Sequence, residues 1–272
     1  MHDPLISVLM GVYHPSADIE LLERSVHSVL AQTVQDFEFL ICDDGSSHEA
    51  CHFLENLAGR EERLRLIRKG NLFSLPVKLN ACLREARGTW VARMDDDDYS
   101  APQRFEVQLA YLREHPEISF VGSNVTLRRN GQSAGEWRFP EYPTVQDFYF
   151  RQPFIHPTLM LRRDVLLSIG GYSEDKRCVL CEDYDLLLRL YAAGCAGANV
   201  QHTLLEYSLP ATAGGNRRMR HRWNEAVTRY RRFRDLGALP AAWPYVVKPL
   251  AVGLLPEGVL RRLKGWRCRY RT

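Results

Sequence analysis

Short apolar runs alternate with amphipathic segments through the first hundred residues of the chain. Four runs have the length and composition of strands buried on both faces, namely residues 5–12, 37–42, 64–68 and 89–94. Between them, apolar residues recur at helical spacing after Asp18, over residues 49–58 and over residues 76–86. This alternation predicts an α/β fold with a mostly parallel, doubly wound sheet and flanking helices.

The pattern after residue 100 is less regular. It predicts a helix that begins at Ser100 and Pro102, a strand over residues 118–127, a loop or hairpin over residues 131–142, and helices over residues 164–169 and 182–193. The composition then changes to a basic helix over residues 217–234 and an apolar stretch over residues 236–260 that four prolines interrupt. We therefore predict an α/β domain over residues 1–215 and a basic amphipathic helical extension over residues 216–272.

The net charge of +3 conceals two zones of opposite charge. Residues 217–272 contain 15 Lys or Arg and 3 Asp or Glu, which leaves residues 1–216 with a net charge of −9. A metal ion is one reason for an acidic body to hold carboxylates together, whereas a basic segment either has an anionic partner or forms a solvated face.

The cysteines and the hydropathy point to a reducing, cytoplasmic setting. The seven cysteines are an odd number in a chain of this size, and we expect reduced thiols. Cys178 and Cys181 form a lone CxxC without the two further ligands that a zinc site needs, so a structural role is favoured. We see no secretory leader and no run of about 18 apolar residues that could span a bilayer.

Two acidic clusters follow predicted strands. The run from Asp95 to Asp98 comes directly after the fourth strand, and Asp43 and Asp44 end the second. Because ligands of such sheets bind at the carboxyl ends of the strands, the two clusters are expected to share one crevice. Adjacent carboxylates repel each other but suit Mn²⁺ or Mg²⁺, which can neutralise a diphosphate leaving group. A solvated turn remains the alternative for each cluster.

A third cluster opens the helix over residues 182–193. Glu182 and Asp183 are either caps that suit the helix dipole or, in the case of one carboxylate, a general base that accepts the proton of an attacking hydroxyl group. His156 is expected to be structural or to contact a bound donor or acceptor. The sequence contains no phosphate-binding GxxxxGK[ST] loop, no GxGxxG fingerprint, no GxSxG elbow and no HExxH helix.

These motifs together resemble a known family. ISVLMGVY, FLICDDGS, LNACLREARGTWVARMDDDDYSAPQRFEVQ, HPTLMLRR, GGY and EDYDLLLRL occur in the order seen in family-2 glycosyltransferases, over residues 4–207. The resemblance implies the GT-A fold, an inverting transfer from a nucleotide-sugar donor, and bacterial synthesis of capsule, exopolysaccharide or lipopolysaccharide. It also implies a nucleotide-binding half over residues 1–100 and an acceptor-binding half over residues 101–215.

The resemblance carries over to single residues. Val12, Tyr13 and Asp44 match positions that line or contact the base, which we expect to be uracil. In the DxD motif, Asp97 is expected to bind Mn²⁺ or Mg²⁺, Asp95 to contact the ribose or the metal, and Asp96 to lie in the donor site. Asp183 matches the catalytic base, and His156 and Glu182 are possible contacts of the donor or acceptor.

Three positions depart from the family pattern. His14 stands where Asn is common, Asp96 where small residues are usual, and Ser208 where many relatives have an Arg followed by His. Without that Arg, no residue is assigned to contact the donor phosphate or the acceptor at this position. His202, Arg217 or Arg218 could take its place.

Three hypotheses of function remain open in the sequence. The first is the inverting glycosyltransferase. A sugar-phosphate nucleotidyltransferase shares the sheet and the acidic site, but it would usually have a basic, glycine-rich loop after the first strand, which residues 10–19 lack. A non-catalytic protein that binds a nucleotide sugar or scaffolds a membrane complex is the third, and Ser208 keeps it open.

The basic extension has two interpretations. Basic residues flank an apolar stretch with Trp243, Tyr245 and Trp266, a composition that suits an anionic membrane surface on the inner face of the cytoplasmic membrane. A lipid-linked saccharide acceptor would fit that location, whereas packing on the α/β domain or on a second subunit is the alternative. No nucleic-acid recognition motif accompanies the charge, and the oligomeric state cannot be predicted.

Overall fold

Strands and helices alternate along the chain in the order that the apolar pattern predicts. The structure is a computed structural model, and it describes residues 3–70, 73–209 and 219–254. The strands of this part are β1 (Ile6–Val12), β2 (Phe37–Asp43), β3 (Leu64–Arg68), β4 (Trp90–Met94), β5 (Tyr99–Ser100), β6 (Ile118–Arg129), β7 (Gln132–Trp137), β8 (Met160–Arg162) and β9 (Ala196–Ser208).

The helices of the same part are α1 (Glu20–Leu30), α2 (His48–Ala58), α3 (Leu75–Glu85), α4 (Arg104–Glu114), α5 (Asp147–Phe150), α6 (Arg163–Ser168), α7 (Glu182–Ala192), α8 (Met219–Asp235) and α9 (Trp243–Gly253). Seven of them match the predicted ones to within a few residues, whereas α5 was not predicted and α9 lies in the apolar stretch that prolines interrupt. Short 3₁₀ helices cover His156–Thr158 and Lys176–Cys178. No helix in the described ranges is long and apolar enough to cross a bilayer.

One sheet joins all nine of these strands. Its order is β3-β2-β1-β4-β8-β6-β9-β5, and β7 pairs with β6 beside this path. Strands β1 to β4 are mutually parallel and so are β6 and β9, whereas β8 runs antiparallel to both of its neighbours. The predicted mostly parallel α/β fold is therefore confirmed, and the carboxyl ends of β1, β2 and β4 meet at one edge.

Two apolar layers cover the sheet. Strand β1 is buried along its whole length because alternate side chains enter opposite layers: Val8 and Met10 pack with α1, α2 and α4, whereas Leu9 packs with α3 and α7. Burial on both faces is what the continuous apolar run of residues 5–12 predicts.

Three strands, β5, β8 and β9, were missing from the predictions, and β5 has only two residues. Strand β8 is only three residues long, and β9 contains the polar stretch of residues 199–203 in its middle. Asn199 is fully buried there because its amide donates to the carbonyl oxygens of Pro140 (2.9 Å) and Pro153 (3.0 Å). These tertiary partners offset the burial of a polar group, and no apolar alternation marks the strand.

The helical extension packs on the α/β body. Phe233 of α8 is fully buried in the layer that contains α7, and α9 adds Val246 to the same layer. The predicted boundary between residues 215 and 216 lies outside the described residues, as do Arg217, Arg218, Trp266 and Cys268.

The loop into β4 depends on a glycine that approaches β1 closely. A Cβ atom on Gly88 would lie 2.5 Å from the Ser7 nitrogen, and the Gly88 N–H donates to Ser7 Oγ at 2.8 Å. We expect Gly88→Ala to destabilise the protein by about 2 kcal/mol because the backbone of β1 must shift. Urea unfolding measures this. Gly70→Ala is the matched control, since nothing lies within 4 Å of its Cβ position. Equal midpoints for the two variants would contradict the prediction.

Candidate active site

The carboxyl ends of β1 and β2 bring Val12, Tyr13 and Asp44 together. Asp44 is fully buried, and its N–H donates to the Val12 carbonyl oxygen at 3.2 Å. Tyr13 is 41% exposed and contacts the ring of Phe73 edge to face at 5.0 Å. The three residues predicted to contact a base therefore lie on adjacent strand ends, with one aromatic ring open to solvent.

A lysine that the sequence did not suggest lies between the two acidic clusters. The ammonium group of Lys78, on α3, donates to the Val12 carbonyl oxygen at 3.1 Å and lies 5.9 Å from the centre of the Tyr13 ring. Burial lowers the pKa of Lys78, and the charges of Asp44 and Asp96 oppose that effect. A buried cation thus faces both carboxylates.

Two buried arginines lie beneath the acidic run. Arg93 is the penultimate residue of β4 and is 1% exposed. It binds the Asp95 carboxylate through one terminal nitrogen. Arg104 of α4 is equally buried and donates to the Arg93 carbonyl oxygen at 2.9 Å. Burial lowers the pKa of Arg104 to about 9, although the charge of Asp98 acts in the opposite direction. The acidic run is therefore built over positive charge.

The carboxyl groups of Asp96, Asp97 and Asp98 hold their protons unusually strongly. Partial burial, reinforced by the neighbouring carboxylates, raises the pKa of Asp96 and raises that of Asp97 to about 7, although Asp97 itself lies exposed at the rim. Burial and the charges of Asp95 and Asp97 raise the pKa of Asp98 to about 9. A cation bound here would remove the repulsion that raises these values.

Ser208 anchors the acidic run. Its N–H donates to Asp98 Oδ1 at 2.8 Å, and its hydroxyl group donates to the Asp97 carbonyl oxygen. The residue that departs from the expected family pattern at this position thus contacts the acidic run directly. Of the predicted substitutes, His202 lies exposed on β9, and Arg217 and Arg218 lie outside the described residues.

One cavity of about 240 Å³ lies beside the run. Its polar lining residues are Asp95, Gln152, His156, Glu182, Asp183 and Tyr207. The structure thus brings four of the predicted site residues to the same space, from β4, from the 3₁₀ helix at His156 and from the start of α7. Gln152 and Tyr207 were not predicted, and neither has a distinctive local pattern.

The motif EDYD presents its two aspartates to different surroundings. Asp183 lines the cavity, accepts from the Gln152 amide at 3.0 Å and accepts from the Tyr184 N–H at 2.7 Å. Asp185 is 1% exposed on the opposite side and accepts from Arg189 and Arg232, both at 2.7 Å. Only Asp183 can therefore meet a ligand in the cavity.

Glu182 and His156 also line the cavity, and burial shifts the pKa of both groups. Burial, followed by the charge of Asp183, raises the pKa of Glu182. Burial and then the charge of Arg93 hold the pKa of His156 well below its usual range. The Nε2 atom of His156 is 2.9 Å from the hydroxyl oxygen of Tyr172, so the imidazole is held in place as a neutral group.

The acidic run fits a divalent cation that shares its ligands with a substrate. No group of three or more His, Cys, Asp or Glu side chains among the described residues could by itself hold a metal. Asp97 lies at the rim, and Arg93 binds only one oxygen of Asp95. Mg²⁺ and similar ions are often held by one or two carboxylates together with phosphate and water oxygens, and these residues suit that arrangement.

Cys178 and Cys181 of the CxxC motif are not joined by a disulfide. Both are buried free thiols, and burial, followed by the charge of Asp185, raises the pKa of Cys178. The structural role predicted for this CxxC agrees with that burial.

Comparison with known proteins gives a consistent picture. The family model described as Glycosyl transferase family 2 matches residues 7–170. The chain is 30% identical to EpsE of Bacillus subtilis (strain 168) over 260 residues, which cover 95% of this chain and 92% of EpsE. It is 30% identical to the O-antigen biosynthesis glycosyltransferase WbnJ of Escherichia coli, over 75% of this chain and 80% of WbnJ.

A more distant relative has a lipid-linked substrate in its name. It is the Escherichia coli UDP-Gal:alpha-D-GlcNAc-diphosphoundecaprenol beta-1,3-galactosyltransferase, 26% identical over 75% of this chain and 74% of that protein.

Solved structures share the fold. S. aureus TarS 1-349 in complex with UDP-GlcNAc superposes with a TM-score of 0.65 at 17% identity, over 92% of this chain and 71% of that chain. The mannosyltransferase PcManGT from Pyrobaculum calidifontis, in complex with GDP-Man and Mn2+, gives 0.64 at 17% identity, over 99% and 82%. These similarities confirm the fold class predicted from the sequence.

The ion pair between Arg232 and Asp185 holds α8 against α7, the helix that carries Asp183 near its start. We expect Arg232→Gln to destabilise the protein by about 2–3 kcal/mol, because it removes one of two cations from a buried carboxylate. Arg234→Gln is the control: its side chain is 62% exposed and pairs with Asp235 at 3.3 Å, so we expect less than about 0.5 kcal/mol. Urea unfolding compares the two variants, and equal effects would contradict this assignment.

The raised pKa of Asp97 predicts a pH effect on stability in the absence of divalent ions. The folded-state pKa of about 7 exceeds the unfolded value of about 3.9, so the folded protein binds more protons between these limits. The contribution of Asp97 to stability is then fully present below pH 4 and is lost as the pH rises to about 7.

In EDTA, the melting temperature of Asp97→Asn should therefore fall less than that of the wild type as the pH rises from 5 to 7. Asp164→Asn is the control, because the guanidinium of Arg162 lowers the pKa of Asp164 and confines its contribution to more acidic pH. Parallel melting curves for wild type and Asp97→Asn over this range would contradict the prediction.

Proposed function

Because the chain belongs to glycosyl transferase family 2, we propose that it transfers a sugar, with inversion, from a UDP-sugar to a saccharide or lipid-linked saccharide. It is a glycosyltransferase of polysaccharide biosynthesis, like the relatives it resembles. The observation that carries the finer proposal is the single cavity that Asp95 and Asp183 line together. This geometry supports a donor on the side of the acidic run and an acceptor on the side of α7.

The donor's nucleotide would lie along the ends of β1 and β2. Asp44 would accept from the base, Val12 and Tyr13 would line it, and Asp95 and Asp96 would contact the ribose and the remainder of the donor. Lys78, between Asp44 and Asp96, is the cation available to the donor phosphates in place of the missing arginine at position 208. Residues 1–100 would thus form the donor half and residues 101–215 the acceptor half.

A divalent ion would be held by Asp97 and Asp95. When bound, Mn²⁺ or Mg²⁺ neutralises the charge that develops on a diphosphate as it leaves. The buried guanidinium of Arg93 fixes the Asp95 carboxylate in one orientation, which leaves its second oxygen for the ion or the ribose. The Mn²⁺ of the PcManGT complex supports the choice of ion.

Asp183 would act as the catalytic base. The acceptor oxygen attacks the anomeric carbon, the bond from that carbon to the diphosphate oxygen breaks, and the hydroxyl proton passes to the Asp183 carboxylate. The Gln152 amide and the Tyr184 N–H hold that carboxylate at 3.0 and 2.7 Å. Neutral His156 would contact the sugars without competing for the proton, and Glu182 would be a further contact in the same cavity.

The acceptor is proposed to be linked to a lipid of the cytoplasmic membrane. The diphosphoundecaprenol substrate in the name of the Escherichia coli galactosyltransferase supports this class of acceptor. A nucleotide-sugar donor would be supplied from the cytoplasm, so the enzyme would work at the inner face of the membrane.

Replacing the proposed base tests this mechanism. We expect Asp183→Asn to reduce turnover by about 100-fold to 10,000-fold, because proton removal is lost. The affinity for UDP in the presence of Mn²⁺, measured by calorimetry, should stay within about twofold of wild type, since Asp183 lies on the acceptor side of the cavity and is not among the proposed nucleotide contacts. Asp164→Asn, an exposed acid on α6, is the matched control. Turnover at the wild-type rate in Asp183→Asn would exclude Asp183 as the base.

The same assays separate the proposed function from its alternatives. A wild-type protein that binds UDP with Mn²⁺ but transfers no sugar to any saccharide or lipid-linked acceptor would favour the non-catalytic alternative. Release of diphosphate from a nucleoside triphosphate and a sugar phosphate would favour the nucleotidyltransferase.

A further inference from the structure

The solvent-facing side of α8 carries a stripe of apolar residues. Met219, Trp223 and Tyr230 are 46%, 59% and 40% exposed and recur at positions i, i+4 and i+11, which is one face of a helix. The buried residues of the same helix are Asn224, Ala226, Thr228, Arg229 and Phe233. Its exposed residues are three large apolar side chains together with Arg220, Arg234 and Asp235, whereas an ordinary surface helix is polar where it meets solvent.

Helix α9 continues the stripe. Trp243, Val247 and Leu254 are 51%, 41% and 77% exposed at the same spacing of i, i+4 and i+11. We call these three residues together with Met219, Trp223 and Tyr230 the two-helix surface. The sequence indicated aromatic residues in this extension, but only the packing of the two helices determines which of them face outward.

Two contacts show that the stripes lie side by side. The rings of Tyr230 and Trp243 meet edge to face at 6.0 Å, near the end of α8 and the start of α9. At the other end, a Cβ on Gly253 would lie 3.1 Å from Met219 Cε. The helices are therefore antiparallel neighbours, and their exposed aromatic and aliphatic residues form one continuous patch. Patches of this kind usually mark a binding surface.

The charge around the two-helix surface is positive. Arg220 and Arg234 are exposed at the two ends of α8. The chain continues from Leu254, in the surface itself, into a sequence whose charged residues are Arg261, Arg262, Lys264, Arg267, Arg269, Arg271 and one acid, Glu257. A second copy of the same surface would bring this positive charge against itself, whereas an anionic surface would be complementary to it.

The cations of α8 that face inward have a different role. Arg231 pairs with Asp175 at 3.1 Å, Arg232 with Asp185 at 2.7 Å, and Arg229 with Glu225 at 3.2 Å. The basic character of the helix is thus divided between ion pairs within the protein and the exposed face. Only the exposed face is available to an external partner.

The two-helix surface borders the loop that leads to the proposed base. Lys248 of α9 lies 3.9 Å from the centre of the ring of Phe150, which is 45% exposed. Two residues later, Gln152 donates to Asp183 in the cavity. A membrane in contact with α9 would therefore lie next to the acceptor side of the cavity.

We propose that Met219, Trp223, Tyr230, Trp243, Val247 and Leu254 form a docking surface for an anionic lipid bilayer, on which the protein lies with both helices parallel to the membrane plane. Aromatic and aliphatic side chains enter the interface between headgroups and acyl chains, while Arg220 and Arg234 contact anionic headgroups. The inference deepens the proposed function, since it explains how the enzyme would reach a lipid-linked acceptor.

Vesicle co-sedimentation of the full chain tests the surface. We expect binding to phosphatidylcholine vesicles that contain phosphatidylglycerol and little binding to pure phosphatidylcholine. Trp223→Ser with Trp243→Ser should weaken partitioning by about tenfold or more, because two aromatic side chains that would enter the membrane interface are lost. Leu21→Ser with Leu167→Ser is the matched control, since it removes two residues of similar exposure, 47% and 46%, from α1 and α6.

The charges are tested separately. Arg220→Gln with Arg234→Gln should weaken binding to the anionic vesicles by roughly fivefold per charge, and added salt should reduce this difference. Arg138→Gln is the control, because this side chain is 79% exposed on the α/β body.

Four results would overturn the proposal. The first two are equal binding by the wild type and the double Trp variant, and equal binding to both kinds of vesicle. The third is a dimer in sedimentation equilibrium that the Trp substitutions dissociate. The fourth is no binding of the wild type to either kind of vesicle.

Turnover with a water-soluble acceptor separates this proposal from the proposed function. The Trp and Arg variants should keep that activity within about twofold of wild type, because none of these residues lines the cavity. Turnover without vesicle binding would refute only the docking surface, whereas vesicle binding without any turnover would refute only the transferase.

Discussion

Charge placed out of water is the constraint on which the site depends. Four consecutive carboxyl groups follow β4, and the guanidinium groups of Arg93 and Arg104 lie buried beside them. Neither kind of group would be stable there alone, because burial of an uncompensated charge costs several kcal/mol. The paired arrangement fixes Asp95 through Arg93 and ties Arg104 to the backbone of β4, so the acidic run has a defined position before any ligand binds.

The opposite wall of the cavity is held by a second polar network. Arg232 and Arg189 bind Asp185, and Arg189 also donates to the Gly171 carbonyl oxygen at 2.7 Å. Gly171 adopts a φ of +68°, which suits glycine, and leads into Tyr172, whose hydroxyl group meets His156. The motifs HP, GGY and EDYD, far apart in the sequence, are thus connected by hydrogen bonds around one space. The extension is part of this network through Arg232.

The extension also shows how one basic helix can serve two surroundings. Its inward arginines neutralise carboxylates of the acidic body, which accounts for part of the opposite charges of the two zones. Its outward face is apolar, with cations at the ends. The inward arginines form ion pairs within the protein, whereas the outward face is the basis for the proposed lipid surface. The two interpretations of the basic extension that the sequence left open therefore concern different faces of the same helix.

The sequence by itself determined the sheet and the place of the acidic clusters, because continuous apolar runs, helical periodicity and the residues that follow each run are local properties. It also indicated the family through the order of its motifs. It selected Asp183 through the family motif, but it did not indicate Lys78, Gln152 or Tyr207, because the positions of these side chains depend on how helices and strands pack. Nor could it find β9, whose buried Asn199 relies on distant carbonyl groups. The tertiary structure alone decided three features: which polar side chains are buried, the ion pair between Arg93 and Asp95, and the adjacent exposed stripes on α8 and α9. Each of them arises only when folding fixes which side chains face each other.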